Sequence, residues 1–489
     1  MIKLILASII PLSGDEAYFL LWGQHLDFGY YDHPPMVGWV LHLMLFLGHS
    51  EVILRLPPIL TTTLIGIGIY RLLKPLDETK AALIATLFLI SPLNILNVAV
   101  TTDTTLILFS FLSVASLFKA LQKNNPGWYG LAGAFFGMAF LSKYFAVLLG
   151  LSYLAYLIFS AKSRQKTWGV ILLFLAALPF ALVNLYWNYT HCWDNIMFNL
   201  YNRNESAHFS LRTLAVFLGI QIYLITPPLI YFLFKKRAEI RQMIKGDQFQ
   251  IFLFAFMVPM AIFFLLSFVK VIGLHWVLSF YPVLYLLLYK LLSGKELTTM
   301  LKFMAGFTAL HLLAILVIAA MPMETWKPNK LYSGIVMTFE HEKIAEQIRP
   351  YEQQQFLLAT DGYSPSATIS YYYGSRFFVF GEDGYHARHD DILTDFREFK
   401  GRNILILRKS EPVMREYTPY FDRVETRTFT VRGATFYLVL GYNFNYEQYK
   451  EGVLRQVKNK YYKIPAYLPQ GSCYFCDRYF PEECKPLLK

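Results

Sequence analysis

The sequence predicts a polytopic α-helical membrane protein carrying a C-terminal soluble α/β module. Three observations predict it. Charged residues make up only 16% of the 489 residues and hydrophobic ones 55%, where an ordinary globular chain carries about a quarter charged. Apolar runs of membrane-spanning length recur through the first two thirds of the chain. From Met321 the runs stop, and short strand-like segments separated by Gly, Asp and Pro take over. The expected division is therefore 1–320, with an outer loop at 14–51, and 321–489.

The opening "MIKLILASII" is short for a span, contains one Lys and lacks a small-residue cleavage site. It reads as a truncated or tilted first helix rather than a signal peptide. Ten further apolar segments follow at 52–72, 81–98, 104–121, 128–142, 144–160, 168–187, 211–234, 248–269, 274–292 and 300–320. With the first they make about eleven transmembrane helices. Lys143 interrupts one long apolar stretch, so 128–160 is either two short helices joined by a tight turn or one bent segment.

The net charge of +11 does not point to nucleic acid, because the basic residues sit in short loops between apolar runs. Arg71 and Lys74, Lys119 and Lys123, the group from Lys162 to Lys166, the group from Lys235 to Lys245, and Lys290 with Lys295 fall in alternate connections. These connections are expected to be cytoplasmic. The intervening loops, and the tail after an odd number of spans, then face outward.

In the tail, "EHEKIAEQIRPYEQQQFLLATDGYSPSATISYYYG" reads as an amphipathic helix, a short strand and a second helix or turn. "SRFFVF", "NILILR", "VETRTFTV" and "ATFYLVLGY" are further strand candidates. Cys192 stands alone in an outer loop, and Cys473, Cys476 and Cys484 lie near the end. A C-x-x-C with a third Cys fits either a zinc site or a disulfide with one thiol left over. Oxidation is the commoner fate for an outward tail.

Polar residues gathered on the outward side carry the candidate chemistry. Asp15 and Glu16 follow the first apolar segment, and a carboxylate pair there is costly unless water, a cation or a substrate satisfies it. Asp32 and His33 precede Pro34 and Pro35 in a run flanked by Tyr30 and Tyr31, and the prolines argue for a fixed turn. Asp103 opens a helix in "VAVTTDTTLIL", and Lys143 lies between two apolar halves. Arg55, Arg203, Glu205, His208, Lys270 and His275 form a second rank. Each has a plainer alternative: Asp103 as a helix cap, Lys143 snorkelling from a helix end, His275 beside Trp276 as an interfacial anchor.

Taken together, "GDEAYFLLWGQHL", "GYYDHPPMVGWV", "TTDTTLILFSFL", "FFGMAFLSKYFAVLL" and "VNLYWNYTHCWDNIMFNL" resemble the bacterial branch of the dolichyl-phosphate-mannose–protein mannosyltransferase family. That branch includes the aminoarabinose transferases of lipid A. The resemblance spans most of 1–320. It implies a GT-C fold in a bacterial inner membrane, with the catalytic face and C-terminal domain periplasmic. It implies a monomeric enzyme that moves a sugar from an undecaprenyl-phosphate-like donor to a hydroxyl or phosphate on a glycolipid, surface glycan or protein.

Residue by residue, the resemblance makes Asp15 the catalytic carboxylate, Glu16 its acidic neighbour and Asp103 the acid of a second outer loop. Lys143 matches a basic residue near the donor phosphate. Asp32 stands where lipid A relatives have a glutamate, and His33 where they have a phosphate-contacting lysine. Tyr31, Arg203 and His275 complete the expected donor contacts. A divalent cation held by Asp15, Asp103 and Asp32 is compatible with these residue types, although no diagnostic ligand spacing is present. Inversion by direct displacement is the implied course. The competing readings are a transporter, a flippase or a ligase of lipid-linked glycans. A transporter would favour mid-membrane charges and related halves, whereas these charges gather at one rim.

Overall fold

The computed structural model describes residues 1–160, 163–202, 208–246, 248–382 and 388–484. The chain divides into two compact units. One comprises 1–9, 34–184 and 206–317, and the other comprises 10–33, 185–205 and 318–489. The second unit thus gathers two segments from the apolar part of the sequence together with the tail.

The first unit is helical. Its core is a continuous apolar cluster built on residues such as Ile65, Ile69, Phe111, Leu117, Tyr153, Phe252 and Leu286, all buried. Proline and polar residues divide the expected spans. The segment 81–98 becomes Glu78–Leu89 and Pro92–Leu96, because Pro92 disfavours helix at Ser91 and then starts the next turn at its first position. The segment 211–234 becomes Leu211–Ile225 and Pro227–Lys235, bent by 87°. The stretch 128–160 is two helices, Pro126–Ser142 and Ala146–Phe159, with Lys143 extended between them. The tight-turn alternative therefore holds.

Among the described residues, five helices are long and apolar enough to cross a membrane unaided, or up to seven if two bent pairs count as one span each. The expectation of eleven exceeds this. Met36–Leu45, Ala146–Phe159 and Gln250–Leu266 are apolar but only 10, 14 and 17 residues long. At about 1.5 Å per residue the longest of them reaches roughly 25 Å, short of a hydrocarbon core of about 30 Å.

In the second unit, β1 (Leu357–Thr360), β2 (Phe378–Val379), β3 (Ile404–Arg408), β4 (Phe421–Val431) and β5 (Ala434–Phe444) form one mixed sheet in the order β2-β1-β3-β5-β4. β1 runs parallel to β2 and β3, while β5 is antiparallel to β3 and β4. All the strand candidates read from the sequence are present, as are the flanking helices His341–Gln353 and Tyr363–Tyr373. "ILIL" is apolar throughout because both faces of β3 are covered. Ile404 and Ile406 join one buried cluster, and Leu405 and Leu407 join the other. The β4–β5 turn places Arg432 at φ 49° and Gly433 at φ 80°, the two left-handed residues that a tight hairpin needs.

All four cysteines are oxidised, as Cys192–Cys473 and Cys476–Cys484. This corrects the expectation of a solitary Cys192 and a thiol left over, and it leaves no thiolate for zinc. Pairing across 281 positions depends on which loops the fold brings together, and spacing along the chain does not encode that.

Candidate active site

Glu16 and Asp15 separate into different roles within the second unit. The helix Gly14–Gln24 begins with a capping box: the Ser13 hydroxyl accepts from the Glu16 amide at 3.3 Å, and the Glu16 carboxylate accepts from the Ser13 amide at 3.0 Å. Glu16 is buried at 3% exposure. Asp15 is exposed and accepts a hydrogen bond from the Tyr363 hydroxyl at 3.2 Å. The S-x-x-E spacing of "SGDE" is a local signal for this cap, which a reading of the two acids as a pair passes over. Of the two, Asp15 presents its carboxylate outward, and its place in the first turn favours negative charge there.

The same helix holds the "YYDHPP" loop. Tyr18 and Trp22, one turn apart, pack edge to face at 4.9 Å, and Trp22 stacks on Tyr30 at 4.6 Å. The Tyr30 hydroxyl donates to the Trp22 carbonyl at 2.9 Å. The Tyr18 hydroxyl donates to Asp32 Oδ1 at 3.1 Å, while His33 Nε2 lies 3.9 Å from Asp32 Oδ2. Asn199 Nδ2 donates to the Asp32 carbonyl at 3.1 Å. The Tyr30 amide donates to the His33 carbonyl at 3.0 Å, giving the turn expected ahead of the prolines. Tyr31 is fully buried against Phe198 and Tyr462. It therefore packs the loop and does not line an open surface. Tyr18 also packs against Tyr363, ring to ring at 5.1 Å, so the Asp15 and Asp32 contacts share one aromatic support.

In the first unit, Lys143 Nζ donates to both carboxylate oxygens of Asp103, at 2.9 and 2.8 Å. Both side chains are buried, at 7% and 3% exposure. Snorkelling fails for Lys143, while Asp103 keeps a first-turn position where negative charge is favoured. The helix Thr102–Lys123 is capped by Thr101 with Thr104, which leaves Asp103 for the lysine. Lys143 turns inward at the C-terminus of Pro126–Ser142 and does not reach for an interface. Arg55 is buried too, and donates to the Ala7 carbonyl at 3.1 Å. His275 is exposed beside buried Trp276, ring to ring at 6.3 Å, as an anchoring position would be. Arg203 and Glu205 lie outside the described residues. Among the described residues, no group of three or more His, Cys, Asp or Glu could hold a metal ion.

One buried network has no counterpart among the residues expected from the sequence. The Tyr474 hydroxyl donates to Asp194 Oδ2 at 2.6 Å and lies 3.0 Å from the Tyr462 hydroxyl. Tyr462 in turn donates to Asp391 Oδ2 at 2.7 Å. Arg388 grips Asp391 bidentately, at 2.5 and 2.8 Å. Burial pushes the Asp194 carboxyl well above the ordinary aspartate range. Next to Arg388, His389 is 1% exposed with neither ring nitrogen hydrogen-bonded among the described residues, and burial lowers its pKa to about 3. The charged run "ARHDD" is the one sequence signal for it, since a globular module rarely concentrates ionisable residues where its chain is buried.

Over residues 32–187 the chain matches the family model described as dolichyl-phosphate-mannose-protein mannosyltransferase. That range includes Asp32, His33, Asp103 and Lys143, while Asp15 and Glu16 precede it. Two crystal structures of ArnT from Cupriavidus metallidurans, one apo and one bound to undecaprenyl phosphate, superpose with TM-scores of 0.62 and 0.63. They are 16% and 15% identical, and each covers 90% of this chain and at least 95% of its own. The chain has the ArnT fold. A curated relative, the lipid A galacturonosyltransferase RgtD of Rhizobium johnstonii, is 27% identical over 240 residues, which is 45% of this chain and 47% of RgtD. The match thus spans about half the length of that relative. The family resemblance read from the sequence is borne out by the matched region and by the shared fold, which extends over most of the tail as well.

Proposed function

We propose that the protein is a membrane glycosyltransferase that moves a sugar from a polyprenyl-phosphate donor to a hydroxyl or phosphate of a lipid A-like glycolipid, surface glycan or protein. The observation that carries this reading is the ArnT fold over 90% of the chain, with one of the superposed ArnT structures holding undecaprenyl phosphate. The matches to the mannosyltransferase model and to a lipid A galacturonosyltransferase support the same reaction class.

In this reading Asp15 is the general base: its exposed carboxylate takes the proton of the acceptor hydroxyl, and the Tyr363 hydroxyl fixes its orientation. The acceptor oxygen forms the new bond at the anomeric carbon from the side opposite the breaking C–O bond, so configuration inverts. The electron pair of that bond leaves on the lipid phosphate. His33, oriented beside Asp32, offers a ring N–H to the departing phosphate, and the family resemblance gives Lys143, paired with Asp103, a role toward the same group. Glu16 acts indirectly, by fixing the helix turn that presents Asp15.

In the same reading the chain crosses the membrane eleven times, several crossings being made by short or broken helices, with the catalytic side and the tail in the periplasm. Two disulfides support that placement, since structural disulfides persist in oxidising compartments.

The test is mass spectrometry of lipid A and envelope glycans from cells with the gene, without it, and with Asp15→Asn. A hexose, pentose, amino-sugar or uronate increment is expected to vanish in the last two, and the variant protein to remain in the membrane fraction. General-base loss should lower transfer at least ~100-fold. Full modification by Asp15→Asn would defeat the base assignment.

A further inference from the structure

The parallel half of the sheet has a feature that none of these residues uses. β2, β1 and β3 lie side by side in that order and run parallel. The chain leaves β1 on one side to make β2, then returns on the other side to make β3. Connections that part to opposite sides of a parallel sheet open a crevice at the strands' carboxyl ends, where such sheets bind ligands.

The crevice is present. Asp361 follows β1, Gly381 and Glu382 follow β2, and Arg408 ends β3. With Tyr417 and Tyr420 they line a space of about 370 Å³, within the range of ~300–1,000 Å³ usual for small-ligand sites.

Its lining chemistry selects a ligand. Arg408 Nε lies 3.1 Å from Asp361, and its Nη1 donates to the Tyr417 hydroxyl at 2.6 Å and to Glu416 at 3.2 Å. The guanidinium is therefore already engaged by two carboxylates and a phenol. Asp361, Glu382 and Glu416 outnumber it, which leaves the lining net negative. Such a site attracts O–H and N–H donors and repels phosphate. Tyr417 stacks on Phe380 at 6.0 Å and 17° beneath the crevice, both buried, so the aromatic surface a ring can lie against is that of half-buried Tyr420. At Gly381, φ is 102° and nothing among the described residues stands within 4 Å of an added Cβ.

We propose that this crevice is a second binding site, for an uncharged or amine-bearing sugar ring. Phosphorylated and uronic sugars are excluded by the same carboxylates. This goes beyond the transfer reaction, because it assigns saccharide recognition to the soluble sheet whatever donor is used.

The experiment is saturation-transfer NMR on the full-length protein in detergent micelles, with glucose, glucosamine, glucuronate and glucose 6-phosphate. Glucose and glucosamine should receive saturation, and the two anions about ten-fold less, the factor one lost charge-assisted contact gives. Glu382→Gln, an exposed position, should weaken the transfer with thermal unfolding matching the wild type, and Tyr420→Ala, which also loses its packing on Tyr449, should weaken it with a lowered midpoint. No transfer to any sugar, stronger transfer to the anions, or transfer unchanged in both variants would overturn the proposal.

Discussion

At the scale of single residues, burial decides which ionisable groups are available. Lys143 and Asp103 satisfy each other in an apolar surround, so removing either partner strands a charge. Lys143→Met or Asp103→Asn alone is expected to cost about 3–5 kcal/mol, measured as the thermal unfolding midpoint in detergent. Lys143→Met combined with Asp103→Leu should recover most of that loss but not transfer. Recovery of both would remove the pair from the mechanism. His389 gives a pH prediction. Its folded pKa, about 3, lies below the ordinary value of 6.5, so between these values the unfolded chain binds the extra proton. Stability therefore falls as pH drops from about 6.5 toward 3, and His389→Phe should flatten that part of the midpoint-against-pH curve. An unchanged slope in the variant would assign the acid sensitivity to other groups.

At the scale of elements, breaks matter as much as helices. Thr226 separates Leu211–Ile225 from Pro227–Lys235 with φ 68°, a region that β-branched residues avoid, and its buried hydroxyl has no hydrogen-bond partner among the described residues. Thr226→Gly is expected to stabilise by about 1 kcal/mol, the strain of ~1–3 kcal/mol less the entropy that glycine loses. A lower unfolding midpoint would show that the hydroxyl has a use. Element identity is legible in the sequence wherever pattern is local: the strand "ILIL", the amphipathic helix His341–Gln353, and the turn ahead of Pro34. Element length is not, because an apolar run such as 81–98 reads the same whether Pro92 ends one helix or starts another. The Glu16 cap is local too, yet an acid beside a second acid at a membrane rim reads equally well as part of a substrate site. Burial of Glu16 and exposure of Asp15 separate the two roles.

At the scale of the whole molecule, distant segments are tied covalently. Cys192–Cys473 closes a separation of 281 residues, and Cys476–Cys484 one of 8. If loop entropy dominates, Cys192→Ser with Cys473→Ser should cost about 3–5 kcal/mol, and the short-loop pair clearly less. Unfolding midpoints of the two double variants check this, and equal losses would place the stabilisation elsewhere. The network joining Asp194, Tyr474, Tyr462, Asp391 and Arg388 spans the same far-apart stretches, and no single stretch of sequence announces it.

The amino-acid sequence by itself determined the membrane class, the sheet-bearing tail and the family resemblance, because apolar length, strand alternation and runs such as "TTDTTLILFSFL" are properties of short windows. Only the tertiary structure decided that Glu16 closes a helix, that Asp103 belongs to Lys143, that all four cysteines pair, and that three strand ends surround a crevice. Each of those depends on which groups lose water together, and that is settled when segments far apart in the chain pack.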